Sequence, residues 1–262
     1  MAVPIASLYL SRLLLNPRSR QVMSEIAHPY EMHRTLMRAF PQATDDAQAK
    51  ARDEFGVLFR ADVDDTRGVV KAYVQSRIEP DWSFLDGLDD YILADTGMPE
   101  YESRDIMPAY RKIQDGQVLS FRLRANPTKR NARKDEPGKE PDRLKGKRVE
   151  LQRESEQIAW LISKGHGNRE GVPGGFELLA RTGEDTKGEE GPVWGVDVRP
   201  EGKLKGRKKD GAAGHAMTHL AVTFDGLLRV RDTNAFLETL VRGIGSGKAY
   251  GFGLLSVAPA AR

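Results

Sequence analysis

The chain has no cysteine, which excludes a disulfide framework, a thiolate metal site and a cysteine nucleophile. Five histidines and the absence of an HExxH pattern leave little material for a zinc centre, so no metal and no cofactor are expected. No apolar run approaches the roughly 20 residues needed to cross a bilayer. The N-terminus lacks the basic start and long apolar core of a signal peptide. A cytoplasmic protein with no membrane partner is the expectation. What is present suits a soluble globular chain: 262 residues, 39% hydrophobic and 30% charged, enough for two modest domains or one large one.

The formal net charge of +3 hides a strong asymmetry. Between Pro41 and Asp105 there are 16 acidic and 7 basic residues. Between Arg122 and Arg153 there are 12 basic and 5 acidic, and between Arg199 and Lys209 there are 6 basic and 1 acidic. Separated charge of this kind points to a polyanion on one side of the molecule, with solvated loops as the alternative.

The most informative stretch is His28-Pro29-Tyr30-Glu31-Met32-His33-Arg34. Proline suits the first turn of a helix, and helix formers follow to about Phe40. At 100° per residue Met32, Leu36 and Ala39 share a core face. Tyr30, His33 and Met37 share another, flanked by Arg34 and Arg38, with Tyr30 and His33 as i,i+3 neighbours. A phenol, an imidazole that exchanges protons near neutral pH and two phosphate-pairing guanidiniums then project from one short helix. The alternative is a solvated face with an incidental histidine.

Before that helix, Leu8 to Leu15 reads as a first strand ended by Asn16-Pro17, followed by an irregular stretch. After it, Phe55 to Ala61 and Val69 to Gln75 read as strands, Asp81 as a cap for a short turn or helix, and 87–116 as a long loop. In Val118 to Arg124, Leu119, Phe121 and Leu123 alternate with Ser120, Arg122 and Arg124, the pattern of a half-buried strand. It runs into Asn126-Pro127-Thr128-Lys129-Arg130, giving one basic patch. Residues 129–146 cannot build a core and read as a basic linker. Beyond it come a strand at Arg148 to Leu151, a helix from Glu154 to Lys164, and strands at Phe176 to Ala180 and Val193 to Val198. Lys203, Lys205, Arg207, Lys208 and Lys209 lie at the tip of a basic hairpin. A strand at Leu220 to Phe224 meets a turn at Asp225-Gly226, Leu228 and Val230 alternate with arginines, and a helix over Thr233 to Val241 is capped at Asp232 or Thr233. A final strand covers Tyr250 to Val257. The fold class is α+β: two tandem ferredoxin-like βαββαβ domains, over 1–128 and 147–262, joined by 129–146.

The run Arg242-Gly243-Ile244-Gly245-Ser246-Gly247-Lys248-Ala249 is not a P-loop. Arg242 stands where the first glycine belongs, Ala249 has no hydroxyl for Mg²⁺, and the loop joins helix to strand rather than strand to helix. A dinucleotide fingerprint fails for the same reason of order. What remains is that Gly245, Ser246 and Gly247 let backbone N–H groups approach a phosphate while Lys248 adds charge. The alternative is a tight turn.

Together Tyr30-x-x-His33, Phe121-Arg-Leu-Arg-Ala-Asn-Pro127, Glu156-Gln-Ile-Ala-Trp-Leu161 and Gly243-Ile-Gly-Ser-Gly-Lys-Ala249 through Gly253-Leu-Leu-Ser-Val-Ala-Pro259 occur in the order of one family. Over nearly its whole length the chain resembles CasE, the type I-E CRISPR endoribonuclease of the wider RAMP superfamily. The resemblance implies two ferredoxin-like (RRM-like) domains and metal-independent cleavage of CRISPR repeat RNA at the 3′ base of its stem-loop. It implies partners as well: that stem-loop RNA, as precursor and product, and the other subunits of Cascade, in which the product is retained. It carries catalytic roles to Tyr30 and His33 and places Arg34 and Arg38 as basic positions near the scissile phosphate. Arg122, Arg124, Lys129, Arg130, Lys203, Lys205, Arg207, Lys208 and Lys209 would track the RNA backbone. His28 departs from the family pattern, and 129–146 and 182–216 look longer than in compact relatives. Two rivals are a non-catalytic stem-loop RNA-binding protein of the same fold and a nucleotide-hydrolysing enzyme using the glycine loop.

Overall fold

The computed structural model describes residues 6–41, 54–64, 66, 68–94, 96–131, 146–167, 173–181, 193–208 and 215–260. Two antiparallel sheets carry the chain. The first is built from β1 (Tyr9–Leu15), β2 (Leu58–Asp64), β3 (Val69–Ser76) and β4 (Tyr101–Asp105), in the order β2-β3-β1-β4. The second has β5 (Val118–Ala125), β8 (Phe176–Leu178), β10 (His215–Val230) and β11 (Leu255–Pro259), in the order β11-β5-β10-β8. Between β5 and β8 the short strands β6 (Thr128–Arg130) and β7 (Arg148–Glu150) pair with each other, and the long β9 (Val196–Lys208) pairs with β10. Counting β5, β8, β10 and β11 as a first to fourth strand, both sheets have the 4-1-3-2 order of a ferredoxin-like domain.

Each sheet buries one face. In β5, Leu119, Phe121, Leu123 and Ala125 are buried while the residues between them are half-exposed, as period-2 alternation requires. Helix α4 (Glu154–His166) and helix α5 (Thr233–Arg242) cover that face through Trp160, Leu161, Phe236 and Leu240. Asp232 accepts from the Ala235 N–H and starts α5, the expected cap. On the first sheet, α1 (Arg20–Ala27) and α2 (Pro29–Leu36) contribute Val22, Met32 and Leu36 to a core with Phe59, Val70, Val74, Trp82 and Tyr91. Full burial of Met32 and Leu36 is worth about 1.5–3 kcal/mol each.

Several expectations need correction. The irregular stretch before Pro29 is helix α1, started by the Ser19 hydroxyl, which accepts from the Val22 N–H. The stretch 87–116 contains β4, the edge strand beside β1, and α3 (Met107–Tyr110). The strand 118–125 does not close the first domain. It lies between β10 and β11, so the first sheet is complete at Asp105. Residues 129–146 do not separate the two sheets: 128–130 and 148–150 form a hairpin stem inside the second half, and 132–145 lie outside the described residues. Asp225-Gly226 is not a turn, because β10 runs straight through it. A Cβ at Gly226 would stand 2.5 Å from the Gly195 carbonyl, so the glycine admits a neighbouring backbone. The last strand begins at Leu255, and Lys248–Tyr250 forms a 3₁₀ turn.

The halves touch closely. Gln75 of β3 donates to the Leu240 carbonyl at 3.0 Å. Arg60 of β2 donates to Ser256 of β11 at 2.9 Å. Leu58 packs where a Gly243 side chain would be.

Candidate active site

Helix α2 is held from behind before it presents anything in front. The buried Glu25 of α1 accepts from Thr35 of α2 at 2.7 Å, from Tyr91 at 2.6 Å and from Gln21 at 2.9 Å. Burial, and then the Glu25 carboxylate, push the Tyr91 phenol well above its usual range. Pro29 opens α2 as expected, and His28 joins the two helices. The His28 ring donates from Nδ1 to the Ser24 carbonyl at 3.0 Å, so this imidazole is tied back to α1.

On the front of α2, Tyr30 and His33 lie together, ring centroids 6.1 Å apart. His33 is only 9% exposed and stacks on Phe59 of β2 at 6.1 Å and 12°. Tyr30 lies against Tyr250, centroids 5.7 Å apart. Tyr250 in turn touches His219 of β10 at 4.5 Å. His219 also meets Phe252 edge-on, and its Nδ1 is 2.9 Å from Asn126 Nδ2. A row of rings thus runs from the first sheet through α2 to the second sheet. Burial holds the His219 imidazole below the usual histidine range, with Glu150 pulling weakly the other way.

The glycine loop supplies one wall of this row, and its glycines are explained by packing. Gly243, Gly245 and Gly247 all have positive φ, open to glycine at little cost. Added Cβ atoms would meet the Gly253 carbonyl at 2.7 Å, Trp160 at 3.1 Å and Phe252 at 2.9 Å respectively. The Ile244 and Gly253 amides bond within the fold, to Gly253 and Arg124 carbonyls. Half-buried Ser246 and Lys248 flank Gly247, and Lys248 starts the turn that carries Tyr250.

The other basic residues expected at the site are dispersed. Arg34 pairs with Glu31 at 2.9 Å, and Arg38 lies over the Phe84 ring at 4.5 Å. Arg122 is held in an ion-pair network. It donates to Asp225 at 2.6 and 3.1 Å and stands 3.7 Å from Asp62, while Arg199 also pairs with Asp225. The Asp225 hydrogen bond raises the Arg122 pKa further. A cavity of about 1000 Å³ lies beside this network, but neither Tyr30 nor His33 lines it. Arg124 reaches the row of rings: it lies over Phe252 at 5.4 Å and pairs with Glu201 at 2.6 Å. Lys129 pairs with Glu156 and Lys203 with Glu150, and Arg130 is exposed on β6. Lys205, Arg207 and Lys208 lie on β9, with side chains outside the described residues, as is the whole of Lys209.

The sequence singles out Tyr30, His33 and Lys248, which the fold brings near one another, but gives no role to Phe59, Tyr250, Phe252, His219 or Asn126. Tyr250 and Phe252 carry a signal, as aromatics among glycines, and Asn126 stands in the Phe121–Pro127 motif. The partnership of His219 with Asn126 depends on strand pairing 93 residues apart.

Comparison with known proteins bears on this geometry. The family described as "CRISPR associated protein" matches residues 8–259. The chain is 40% identical over 256 residues to the CRISPR-associated endoribonuclease Cse3 of Thermus thermophilus, covering 96% of this chain and 100% of that one. It is 37% identical over 152 residues to the CRISPR system Cascade subunit CasE of Escherichia coli, covering 56% of this chain and 61% of that one. Its fold is similar to a solved structure of the CRISPR endoribonuclease Cse3 bound to a 19 nt RNA, with a TM-score of 0.69 and 37% identity over 96% of this chain and 100% of that one.

Proposed function

We infer the chemistry from one premise: this chain belongs to the family of CRISPR-associated endoribonucleases that includes Cse3 and CasE. It is an endoribonuclease that processes CRISPR RNA, with that RNA and the subunits of Cascade as its partners. We propose that it works in the cytoplasm; among the described residues no helix is long and apolar enough to cross a membrane.

Tyr30 and His33 are proposed as the groups that handle protons. The observation that carries this is their pairing on α2, rings 6.1 Å apart, beside the loop that bears Lys248. The 2′-OH on the 5′ side of the scissile bond loses its proton and its oxygen bonds to phosphorus. The bond from phosphorus to the 5′ oxygen breaks, and that oxygen takes up a proton. The products are a 2′,3′-cyclic phosphate and a 5′-OH. His33 and Tyr30 share the two transfers. Lys248 offsets charge that builds on the phosphorane. Arg34 and Arg38 would have to leave Glu31 and Phe84 to join it. The cut falls at the 3′ base of the repeat stem-loop, and the product stays bound.

The test is incubation with the host's repeat RNA, with and without EDTA, followed by analysis of the product ends. Cyclic phosphate and 5′-OH ends that persist in EDTA are expected. Ends bearing 3′-OH and 5′-phosphate, formed only with metal, would overturn the mechanism. His33→Ala should slow single-turnover cleavage by roughly 10²–10⁴-fold with little change in RNA affinity. Wild-type cleavage by that variant removes His33 from the chemistry.

A further inference from the structure

We propose that His219 is a positioning residue for the cleavage reaction: its ring holds Tyr250 against Tyr30. The inference rests on the reading of Tyr30 as catalytic.

Tyr30 stands on a helix of the first half, and its site-facing ring contact with the second half is Tyr250. Tyr250 belongs to a three-residue turn bounded by Gly247 and Gly251, both left-handed, a segment with little regular structure to fix it. The support comes from β10. His219 lies at 4.5 Å from Tyr250, closer than any other ring pair among the described residues, and within the range of productive aromatic contact. The His219 ring is itself restrained, by Phe252 edge-on and by Asn126, whose side chain is 4% exposed and follows directly from β5. Strand β10 pairs with β9 from His215 to Gly226, His219 lying opposite Leu204, and with β5 from Val222 to Arg229. The contact therefore transmits the rigidity of the second sheet to Tyr30.

The ring, and not its polar edge, is what meets Tyr250. His219 Nε2 and Asn126 Oδ1 are buried and have no hydrogen-bond partner among the described residues. Each such atom costs about 1–3 kcal/mol, so the polar edge of the ring adds no stability of its own. With the Asn126 amide donating to Nδ1, the ring is neutral, the form that burial favours.

A double-mutant cycle tests this on the full chain with the host's repeat RNA. His219→Ala should slow single-turnover cleavage by roughly 10–100-fold, with RNA affinity within about twofold of wild type. In the Tyr30→Phe background, where the hydroxyl being positioned is gone, the same change should cost less than about threefold. His219→Phe, which restores a ring against Tyr250, should recover most of the rate. Equal penalties in both backgrounds overturn the positioning role and leave Tyr30 catalytic. A phenylalanine variant as slow as alanine also overturns it. Wild-type cleavage by Tyr30→Phe itself overturns the catalytic reading, and this proposal with it. If His219→Ala does not fold, His219→Gln, similar in size but without a ring, takes its place in the cycle.

Discussion

The ring of Tyr30 lies 5.7 Å from the ring of Tyr250, and these two residues come from opposite halves of the molecule. Tyr30 rides on α2, which packs on the first sheet through Met32 and Leu36. Tyr250 closes the glycine loop that follows α5. The pair exists because the halves are fastened nearby, by Gln75 on the end of α5, by Arg60 on β11, and by Leu58 against Gly243. An aromatic pair contributes about 0.5–1.5 kcal/mol beyond its buried area, too little to hold two domains together. The fastenings set the geometry, and the rings use it.

The glycine loop should answer to stability before it answers to RNA. Gly243 has φ +71°, and a Cβ there would stand 2.7 Å from both the Gly253 carbonyl and a Leu58 methyl. Backbone strain and overpacking together should make Gly243→Ala lose about 2–5 kcal/mol. Gly68→Ala is the control, with φ +61° and nothing within 4 Å of the added carbon, so that it bears only the strain, about 1–2 kcal/mol. Urea midpoints at constant m-value measure both. Equal losses would show that contact with Leu58 and Gly253 carries no weight.

Elements with a regular pattern were legible in the sequence, and elements defined by a partner were not. The alternation of Val118 to Ala125 and the Met32–Leu36 face of α2 both match the observed burial. Helix α1 was hidden because one of its two buried residues is Glu25, a charge that periodicity counts as exposed. Strand β4, Tyr-Glu-Ser-Arg-Asp, has no alternation and is a strand because β1 pairs with it. Gly226 read as a turn because proximity to Gly195 is invisible in one dimension. At the site, the spacing of Tyr30 and His33 was readable from helix geometry. Phe59 and His219 joined them only through folding, and Arg122 left the expected basic patch because Asp225 and Asp62 face it.

One buried phenol, Tyr91, and one partly buried phenol, Tyr110, should make the fold sensitive to alkali. Burial pushes Tyr110 up to about 12 and raises Tyr91 further, while an unfolded tyrosine ionises near 10. Both folded pKa values are raised, so their stabilising contribution is complete below pH 10 and is lost as pH rises beyond it. From pH 10 upward the unfolded chain releases protons that the folded chain keeps. For Tyr110 the loss approaches about 3 kcal/mol by pH 12. Tyr110→Phe should flatten the fall of the urea midpoint between about pH 10 and 11, the lower part of that window. A variant with the wild-type slope would assign the alkaline sensitivity to other groups.

The basic strand β9 and the basic strand β5 should behave differently toward RNA, although both carry net positive charge. Arg122 on β5 is held by Asp225 and Asp62. A phosphate must displace two carboxylates to reach it, and the ion pair already neutralises the charge that would release counterions. Arg122→Gln should therefore leave the dependence of RNA affinity on salt nearly unchanged. Lys205, Arg207 and Lys208 occupy the distal part of β9, beyond Lys203, which Glu150 holds at 3.6 Å. Neutralising those three residues together should weaken stem-loop binding and flatten the plot of log affinity against log salt, by about one unit of slope for each phosphate left without its cation. Titrations of the repeat stem-loop at several salt concentrations separate the two cases. A triple variant with the wild-type slope would place the hairpin away from RNA. A reduced slope for Arg122→Gln would mean that RNA opens the Arg122–Asp225 pair on binding.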